Sequence, residues 1–264
     1  MLKQFARKFD RVVFGEFLFN RYLKSLGNKS LRCDSTHLDH RMTVQYAKND
    51  SSLINTLCDT YGSDKGEASP GNNPYVWDSH NFADFYSLVF GLKRNAVELV
   101  VECGLGTNNP DIRSSMGVSG KPGASLRVWQ EYFPNAQIIG CDIDSQILFE
   151  EDRIKTFECD QTSQESIAKF LTNADIRQGS VDIIIDDGLH AFHAGTCFFE
   201  NMWGTLRPGG VYIIEDVTQA DLMKYKEYFS QHTSLYEVRY IYLETPNRSF
   251  GDDNNLICIT QKSI

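Results

Sequence analysis

The feature that most restricts the fold is the alternation of short apolar runs with helical patterns from Val97 onward. Seven runs have the length and composition of strands: Val97–Cys103, Gln137–Cys141, Ile154–Cys159, Val181–Ile185, Val211–Ile214, Ser234–Leu243 and Leu256–Thr260. Between them lie three helical patterns: Ser125–Phe133, Glu165–Leu171 and Phe192–Leu206. Strands joined through helices require right-handed crossovers and a parallel sheet. We therefore predict an α/β fold with a Rossmann-like, mostly parallel seven-stranded sheet flanked by helices, and a turn at Pro208-Gly209-Gly210.

The pattern before residue 95 is different, so we divide the sequence into two parts. Residues 95–264 form the Rossmann-like domain, and residues 1–94 form an N-terminal helical extension that caps the cofactor and substrate site. Residues 2–26 read as a basic, phenylalanine-rich helix. We expect this helix to pack on its own domain or on a second copy of the chain in a homo-oligomer, with a membrane-surface position as the alternative. His37 and His40 form an H-x-x-H pair that we interpret as solvated or structural and not as a metal site.

Composition excludes several classes of function. The 264 residues carry a net charge of −9, whereas a general nucleic-acid binder has a basic face. The seven cysteines are scattered without a C-x-x-C spacing, which predicts buried thiols in a reducing compartment. We find no secretory signal pattern and no apolar run long enough to span a membrane. We therefore expect a cytoplasmic protein whose partner is a small molecule.

Ligands of a parallel sheet bind beyond the carboxyl ends of its strands, so the loops after the predicted strands carry the candidate site. The first loop contains Gly104 and Gly106 after Glu102, and glycines allow the backbone to approach a ligand closely. The dinucleotide pattern requires a third glycine where Asn109 stands. This loop therefore favours a nucleoside ligand without a pyrophosphate over NAD.

Acidic residues end the next two strands. Asp142 follows the second strand, where a carboxylate accepts hydrogen bonds from both ribose hydroxyls of a nucleoside. Asp160, followed by Gln161, ends the third strand and is placed to receive an adenine amino group. A solvated strand end is the alternative for Asp142 alone, but with Glu102 three successive strand ends are acidic.

Two sets of motifs lead to a family. The first set is Glu102-x-Gly104-x-Gly106, Asp142, Asp160, Ile185-Asp186-Asp187 and Leu206-Arg207-Pro208-Gly209-Gly210. Over about residues 95–262 it resembles the class I S-adenosylmethionine-dependent methyltransferases. The second set is Tyr61-Gly62-Ser63-Asp64-Lys65-Gly66, Gly123-Ala124-Ser125-Leu126-Arg127, Asp186-Asp187-Gly188-x-His190 and Ile214-Glu215-Asp216. It resembles the metal-dependent sugar O-methyltransferases of macrolide biosynthesis, of the mycinamicin and macrocin type, and methyltransferases of bacterial capsular polysaccharide clusters.

This resemblance implies a role for each matched residue. For the cofactor S-adenosylmethionine it implies Glu102, Gly104 and Gly106 at the methionine part, Asp142 at the ribose, Asp160 with Gln161 at the adenine, and Tyr61, Ser63 and Ser125 over the methionyl end. It implies Mg²⁺ ligation by Asp187, Glu215 and Asp216, and proton abstraction by His190. For Asp186 two roles stay open, helix capping and contact with the cofactor. The loop of residues 108–122 is longer than the family pattern, so its contacts do not carry over.

The residue types suit methyl transfer to a hydroxyl. A hard divalent cation held by carboxylates lowers the pKa of a hydroxyl and orients it. A histidine has an ordinary pKa of about 6.5, so His190 can accept a proton at neutral pH. His193 is a rival base, or a metal ligand together with His190, and a solvated strand end is the alternative for Glu215 and Asp216.

We therefore predict an enzyme, dependent on S-adenosylmethionine and Mg²⁺, that methylates a sugar hydroxyl of a capsular polysaccharide precursor, a nucleotide sugar or another glycoside or glycan. An amide, amine or phosphoramidate acceptor is the alternative within the same chemistry. An NAD-dependent oxidoreductase and a non-catalytic nucleoside-binding protein are alternatives of other classes. The acceptor contacts are expected from three polar loops, residues 69–77, 108–122 and 245–255.

Overall fold

The computed structural model describes residues 42–69, 71, 73–231, 235–244 and 253–261. The described residues from 47 onward belong to one compact unit, and residues 42–46 lie outside it. Four predicted features lie wholly or mostly outside the described residues: the helix over residues 2–26, Cys33, the pair His37 and His40, and the loop of residues 245–255.

Six α-helices and eight strands make up the described part of the larger unit. The helices are α1 (Leu53–Tyr61), α2 (Phe82–Phe90), α3 (Ala124–Tyr132), α4 (Gln164–Asn173), α5 (Phe192–Met202) and α6 (Gln219–Ser230). The strands are β1 (Leu99–Cys103), β2 (Gln137–Asp142), β3 (Glu150–Glu151), β4 (Ile154–Glu158), β5 (Val181–Asp186), β6 (Leu206–Ile214), β7 (Tyr236–Tyr242) and β8 (Asn255–Gln261). Ser52, Ser163 and Thr218 cap α1, α4 and α6 by accepting a backbone N–H bond of the first turn.

The strands form one sheet in the order β3-β4-β2-β1-β5-β6-β8-β7. The strands β4, β2, β1, β5 and β6 are parallel, and β8 is antiparallel to both of its neighbours. This arrangement confirms the predicted Rossmann-like, mostly parallel sheet. The additional strand is β3, two exposed glutamates that pair with β4 in antiparallel register. A strand this short and polar has no apolar period, so the sequence analysis did not reveal it.

The segment Pro208-Gly209-Gly210 corrects one prediction, because it lies inside β6 and not in a turn before a strand. The register between β5 and β6 shifts across this segment, from the pair of Val181 with Leu206 to the pair of Ile183 with Val211. Gly209 has a φ of +80°, which a residue with a Cβ rarely adopts. The proline and glycines therefore mark an irregularity within β6. Pairing with β5 resumes after it.

Helices cover both faces of the sheet. The first helical layer consists of α1, α2 and α3, and the second consists of α4, α5 and α6. Alternate residues of a strand point to opposite faces, so Ile183 and Ile185 pack with the first layer and Ile184 packs with the second. Phe82 and Tyr86 of α2 belong to the core of the first layer. Residues 47–94, which we predicted as part of the N-terminal extension, thus pack into the same compact unit as the sheet.

All six described cysteines are free, and five of them are buried, which agrees with the prediction of buried thiols. Burial raises the pKa of the Cys58 thiol to about 12, so it stays protonated at neutral pH. Among the residues that the structure describes, no helix has the length and apolar character to cross a membrane.

Candidate functional site

A cavity of about 390 Å³ lies at the carboxyl ends of β1, β2, β4, β5 and β6. Its size is within the range of small-molecule sites, roughly 300–1,000 Å³. The predicted site residues that line it are Ser63, Gly104, Gly106, Ser125, Asp142, Asp160, Gln161, Asp187, His190 and Asp216. The predicted residues that do not line it are Tyr61, Glu102, Asp186 and Glu215.

The glycine-bearing loop after β1 lies directly against the loop after β5. Gly104 has a φ of +95°, and a Cβ atom added to it would lie 1.9 Å from the carbonyl oxygen of Asp187. The N–H of Asp187 donates to the carbonyl of Cys103 at 2.9 Å. Only a glycine fits between these two backbones, so the two loops form one continuous wall of the cavity.

Asp142 holds the same loop from the end of β2. Its Oδ2 accepts the N–H of Leu105 at 2.7 Å, and its Oδ1 accepts the N–H of Asp144 at 2.9 Å. Burial raises the pKa of the Asp142 carboxyl above its ordinary value. A carboxylate has about four acceptor sites, so Asp142 can also accept hydroxyls of a ligand in the cavity.

Asp160 and Gln161 follow β4 and have different partners. Asp160 accepts the N–H of Thr162 at 2.9 Å and its hydroxyl at 2.6 Å. Gln161 reaches across to the loop after β5, where its Oε1 accepts the N–H of Leu189 at 2.5 Å and its Nε2 donates to Asp186 at 2.9 Å. Gln161 therefore joins the predicted adenine end of the cavity to the loop that carries the acidic residues.

Asp186 is buried beneath the cavity and does not face it. Its Oδ1 accepts the side-chain N–H of Gln161 and also the backbone N–H of Gly188 at 3.4 Å. Burial raises the pKa of its carboxyl to about 6. The cap position of α5 is Ala191, so Asp186 does not cap that helix. Of the two roles left open for Asp186, capping is wrong, because four residues separate it from Ala191, the N-cap of α5. Contact with the cofactor stays a prediction.

Tyr61 and Glu102 are separated from the cavity for different reasons. Tyr61 ends α1, and its hydroxyl donates to Glu131 of α3 at 3.4 Å. Glu102 is fully buried and accepts the hydroxyl of Ser125 at 2.9 Å and the indole N–H of Trp129 at 2.8 Å. Burial raises the pKa of the Glu102 carboxyl to about 7. Ser125 thus lines the cavity and connects it to Glu102.

Lys65 lines the cavity and lies among three carboxylates, of which Asp187 also lines it. Its Nζ is 2.5 Å from Oδ2 of Asp187 and 3.4 Å from Oε1 of Glu102, and it forms an ion pair with Oε2 of Glu215. Burial lowers the pKa of Lys65, but these carboxylates outweigh burial and hold the pKa well above its ordinary value. Burial raises the pKa of Asp187, but Lys65 and His190 outweigh it and hold that pKa well below its ordinary value.

Asp187, His190 and Asp216 form a second group, which faces the cavity. The Nε2 of His190 is 3.2 Å from Oδ1 of Asp187, and its Nδ1 is 3.6 Å from Oδ2 of Asp216. His190 and Asp216 have φ values of +54° and +51°, a backbone conformation that concentrates at functional sites. Burial lowers the pKa of His190, but Asp216 and Asp187 outweigh it and raise the pKa to about 10.

The donor atoms of these two groups suit a hard divalent cation. The groups share Asp187, and the ligand atoms within each lie within 4.8 Å of one another. The carboxyl groups of Glu102, Asp187, Glu215 and Asp216 converge here on the ammonium of Lys65 and the imidazole of His190. Oδ1 of Asp216 is buried and accepts no hydrogen bond within the described part of the chain. Carboxylate oxygens in this number are the ligands that Mg²⁺ and Ca²⁺ prefer.

The chain is similar to curated enzymes over about half of its length, although no family model matches it. It is 36% identical over 142 residues to mycinamicin VI 2''-O-methyltransferase of Micromonospora griseorubida, which covers 53% of this chain and 32% of the relative. It is 35% identical over 142 residues to the 8-demethyl-8-(2-methoxy-alpha-L-rhamnosyl)-tetracenomycin-C 3'-O-methyltransferase of Streptomyces olivaceus. The match covers 53% of this chain and 33% of the relative. It is 35% identical over 146 residues to demethylmacrocin O-methyltransferase of Streptomyces fradiae, which covers 54% and 34%. The chain thus spans about a third of the length of the curated relatives it matches.

Solved structures share the architecture over most of the chain. MycE methyltransferase in complex with Mg, SAH and mycinamycin VI superposes with a TM-score of 0.56 at 23% identity, over 80% of this chain and 54% of that chain. A second MycE structure, in complex with Mg and SAH, gives a TM-score of 0.53 at 26% identity, over 81% and 55%. The chain has the class I methyltransferase fold.

Three residues of the candidate site in this methyltransferase fold were not predicted from the sequence: Lys65, His80 and Tyr86. Lys65 stood inside the motif of residues 61–66, but the sequence gives no sign that this segment brings an ammonium to the ends of β5 and β6. Nε2 of His80 lies 3.3 Å from Oδ1 of Asp216, and the hydroxyl of Tyr86 donates to Oε1 of Glu215. These contacts join residues more than a hundred positions apart, and no local pattern indicates them.

Gly104→Ala should lower the free energy of unfolding by at least about 3 kcal/mol. Backbone strain costs roughly 1–2 kcal/mol, and steric overlap of the new Cβ with the Asp187 carbonyl adds to it. Gly179→Ala is the matched control: Gly179 has a φ of +65°, but nothing lies within 4 Å of an added Cβ. The control should lose only the strain, about 1 kcal/mol. Urea unfolding of both variants measures the difference, and equal losses would show that the two loops do not need to approach so closely.

Proposed function

We propose that the chain is an S-adenosylmethionine-dependent methyltransferase that methylates a sugar hydroxyl with the help of a divalent cation. One observation carries this proposal. A single cavity is lined at one end by Asp142 and Asp160, which suit a nucleoside, and at the other by Asp187, His190 and Asp216, which suit a cation and a proton. The similarity to O-methyltransferases supports it, and one relative's name specifies a rhamnosyl compound as acceptor.

The nucleoside end of the cavity suits the adenosine of the cofactor. Asp142 would receive the ribose hydroxyls, and Asp160 with Gln161 would contact the adenine. The bare backbones of Gly104 and Gly106 let the methionine part approach β1, and Ser63 and Ser125 line the cavity near them. Glu102 would act through Ser125, since it does not reach the cavity. The role of Tyr61 over the methionyl end stays a prediction.

The acidic end of the cavity suits Mg²⁺ and the acceptor. Asp187, Glu215 and Asp216 would hold the ion, and two of these, Asp187 and Asp216, line the cavity. When bound, the ion orients the acceptor hydroxyl and lowers its pKa. The hydroxyl oxygen bonds to the methyl carbon as the carbon–sulfur bond breaks, so the chain must hold donor and acceptor in line.

We propose that His190 takes the proton that the acceptor loses. Its ring lies between Asp187 and Asp216, and their charge raises the pKa to about 10, so the imidazole is a cation at neutral pH in this structure. His190 becomes a base once the charge of these two carboxylates is neutralised, as it is when they bind a cation. His193 does not line the cavity, which favours His190 over it.

We propose a sugar hydroxyl of a glycoside as the acceptor. The relatives' names specify macrolide and tetracenomycin compounds, which supports a sugar hydroxyl of a glycoside. A capsular polysaccharide precursor or a nucleotide sugar stays a prediction, as do a cytoplasmic location and a homo-oligomer formed through residues 2–26.

Calorimetry should show binding of S-adenosylhomocysteine and no binding of NAD, because the loop after β1 lacks the third glycine of the dinucleotide pattern. Asp142→Ala should weaken that binding at least about tenfold through loss of the ribose contacts. Asp152→Ala is the control, since Asp152 is 90% exposed and lies away from the cavity.

Incubation with S-adenosylmethionine and a panel of glycosides and nucleotide sugars should then give a product heavier by one CH₂ in mass spectrometry. Binding of NAD instead of S-adenosylhomocysteine would overturn the proposal.

Removal of divalent cations with EDTA should abolish methyl transfer, and added Mg²⁺ should restore it, because the acceptor hydroxyl is otherwise too weak a nucleophile. Mg²⁺ should not restore the activity of Asp187→Ala, which loses the carboxylate shared by both groups. The measurement is initial rate against free Mg²⁺ concentration. Full activity in EDTA would show that the acidic end acts without a metal.

His190→Ala should lower kcat by about 10²–10⁴-fold, the range for loss of a general base. His193→Ala, three residues on, should change kcat less than about twofold, because its ring does not reach the cavity. Single-turnover rates at saturating acceptor separate this effect from binding. A large loss in His193→Ala with little in His190→Ala would exchange the two assignments.

A further inference from the structure

The backbone of Lys65 is fixed between α1 and α2, so its position at the carboxylates is built into the fold. Its carbonyl oxygen accepts the N–H of Ala83 at 2.9 Å, and its N–H donates to Oγ of Ser63 at 3.4 Å. A Cβ added to the next residue, Gly66, would lie 2.4 Å from both the Ala83 Cβ and the Asn55 Oδ1. The backbone around Lys65 is therefore closely packed between the two helices.

The ammonium of Lys65 contacts two of the three carboxylates to which the proposed function assigns Mg²⁺. It lies 2.5 Å from Oδ2 of Asp187 and pairs with Oε2 of Glu215. The remaining oxygens of these carboxylates are also engaged, because Oδ1 of Asp187 faces His190 and Oε1 of Glu215 accepts the hydroxyl of Tyr86. A divalent cation bound between Glu215 Oε2 and Asp187 Oδ2 would therefore meet the ammonium, which now lies against both oxygens.

We propose that Lys65 is a built-in competitor of the divalent cation: its ammonium holds Asp187 and Glu215 in place and sets the affinity of the site for metal. This inference rests on the proposed function, since it assumes that these carboxylates are metal ligands. Lys65 is a positioning residue, because it acts through Asp187 and Glu215 and not on the reacting atoms.

Glu102 supplies an alternative partner for Lys65 when its other two carboxylates bind a cation. Oε1 of Glu102 is 3.4 Å from the ammonium, is buried, and accepts no hydrogen bond among the described residues. The other oxygen of Glu102 is held by Ser125 and Trp129. A small movement of the Lys65 side chain toward Glu102 thus keeps its charge paired while it leaves Asp187 and Glu215 to the metal.

The test is the affinity for Mn²⁺, a cation that carboxylates bind as they do Mg²⁺ and whose free form gives an electron paramagnetic resonance signal. Lys65→Met keeps the length of the side chain without its charge, and we expect its Kd for Mn²⁺ to fall at least about tenfold. Lys155→Met is the matched control, because Lys155 pairs with Glu150 at an exposed edge of the sheet. Its Kd should equal that of the wild type.

Lys65→Arg provides a second arm that keeps the charge and does not depend on the folding of Lys65→Met. A guanidinium pairs with carboxylates in a bidentate manner and is the stronger competitor, so we expect Mn²⁺ to bind at least about threefold more weakly. The inference is overturned if the Kd of a folded Lys65→Met is unchanged or larger, or if the Kd of Lys65→Arg is unchanged or smaller. The proposed function stands in either case. No Mn²⁺ binding by the wild type or by either variant overturns both.

Discussion

The ammonium of Lys65 is the interaction on which the candidate site depends. Carboxylates from the ends of β1, β5 and β6 meet at the acidic end of the cavity, and each buried ion carries a desolvation penalty of several kcal/mol unless an opposite charge lies beside it. Lys65 supplies that charge from the segment between α1 and α2, outside the sheet. The acidic end of the cavity is therefore produced by packing of the first helical layer on the sheet as much as by the sheet itself.

The register of the central strands explains why the two ends of the cavity are so close. Cys103 of β1 pairs with Asp186 of β5, so Gly104 and Asp187 leave the sheet side by side. Because Gly104 has no side chain, the loop that suits the cofactor and the loop that suits the acceptor are in direct backbone contact. Alignment of donor and acceptor can contribute as much as about 7–11 kcal/mol to a displacement reaction, and it needs a support this rigid.

The sequence was sufficient for the parts of the molecule that local patterns determine. Apolar periodicity located the strands around Ile183–Ile185, and the rule for strand ends located Asp142, Asp160 and Asp187 at one edge. The sequence was insufficient for the parts of the site that contacts between distant residues produce. Lys65 meets Asp187 and Glu215 across 122 and 150 positions of the chain, and no periodicity reports such a contact. The glycines at 209 and 210 were read as a turn, because a glycine pair indicates irregular backbone but not whether strand pairing resumes after it.

The alternation of β5 has a consequence for its two adjacent aspartates. Asp186 turns toward the second helical layer, where it contacts Gln161 and lies 3.3 Å from the position a Cβ of Gly195 would take. Asp187, one residue on, turns toward Lys65 of the first layer. A single peptide unit thus delivers one carboxylate to each side of the sheet. Insertion or deletion of one residue in β5 would exchange the sides to which the two carboxylates point. The number of residues in the strand therefore matters to the site as much as their identity.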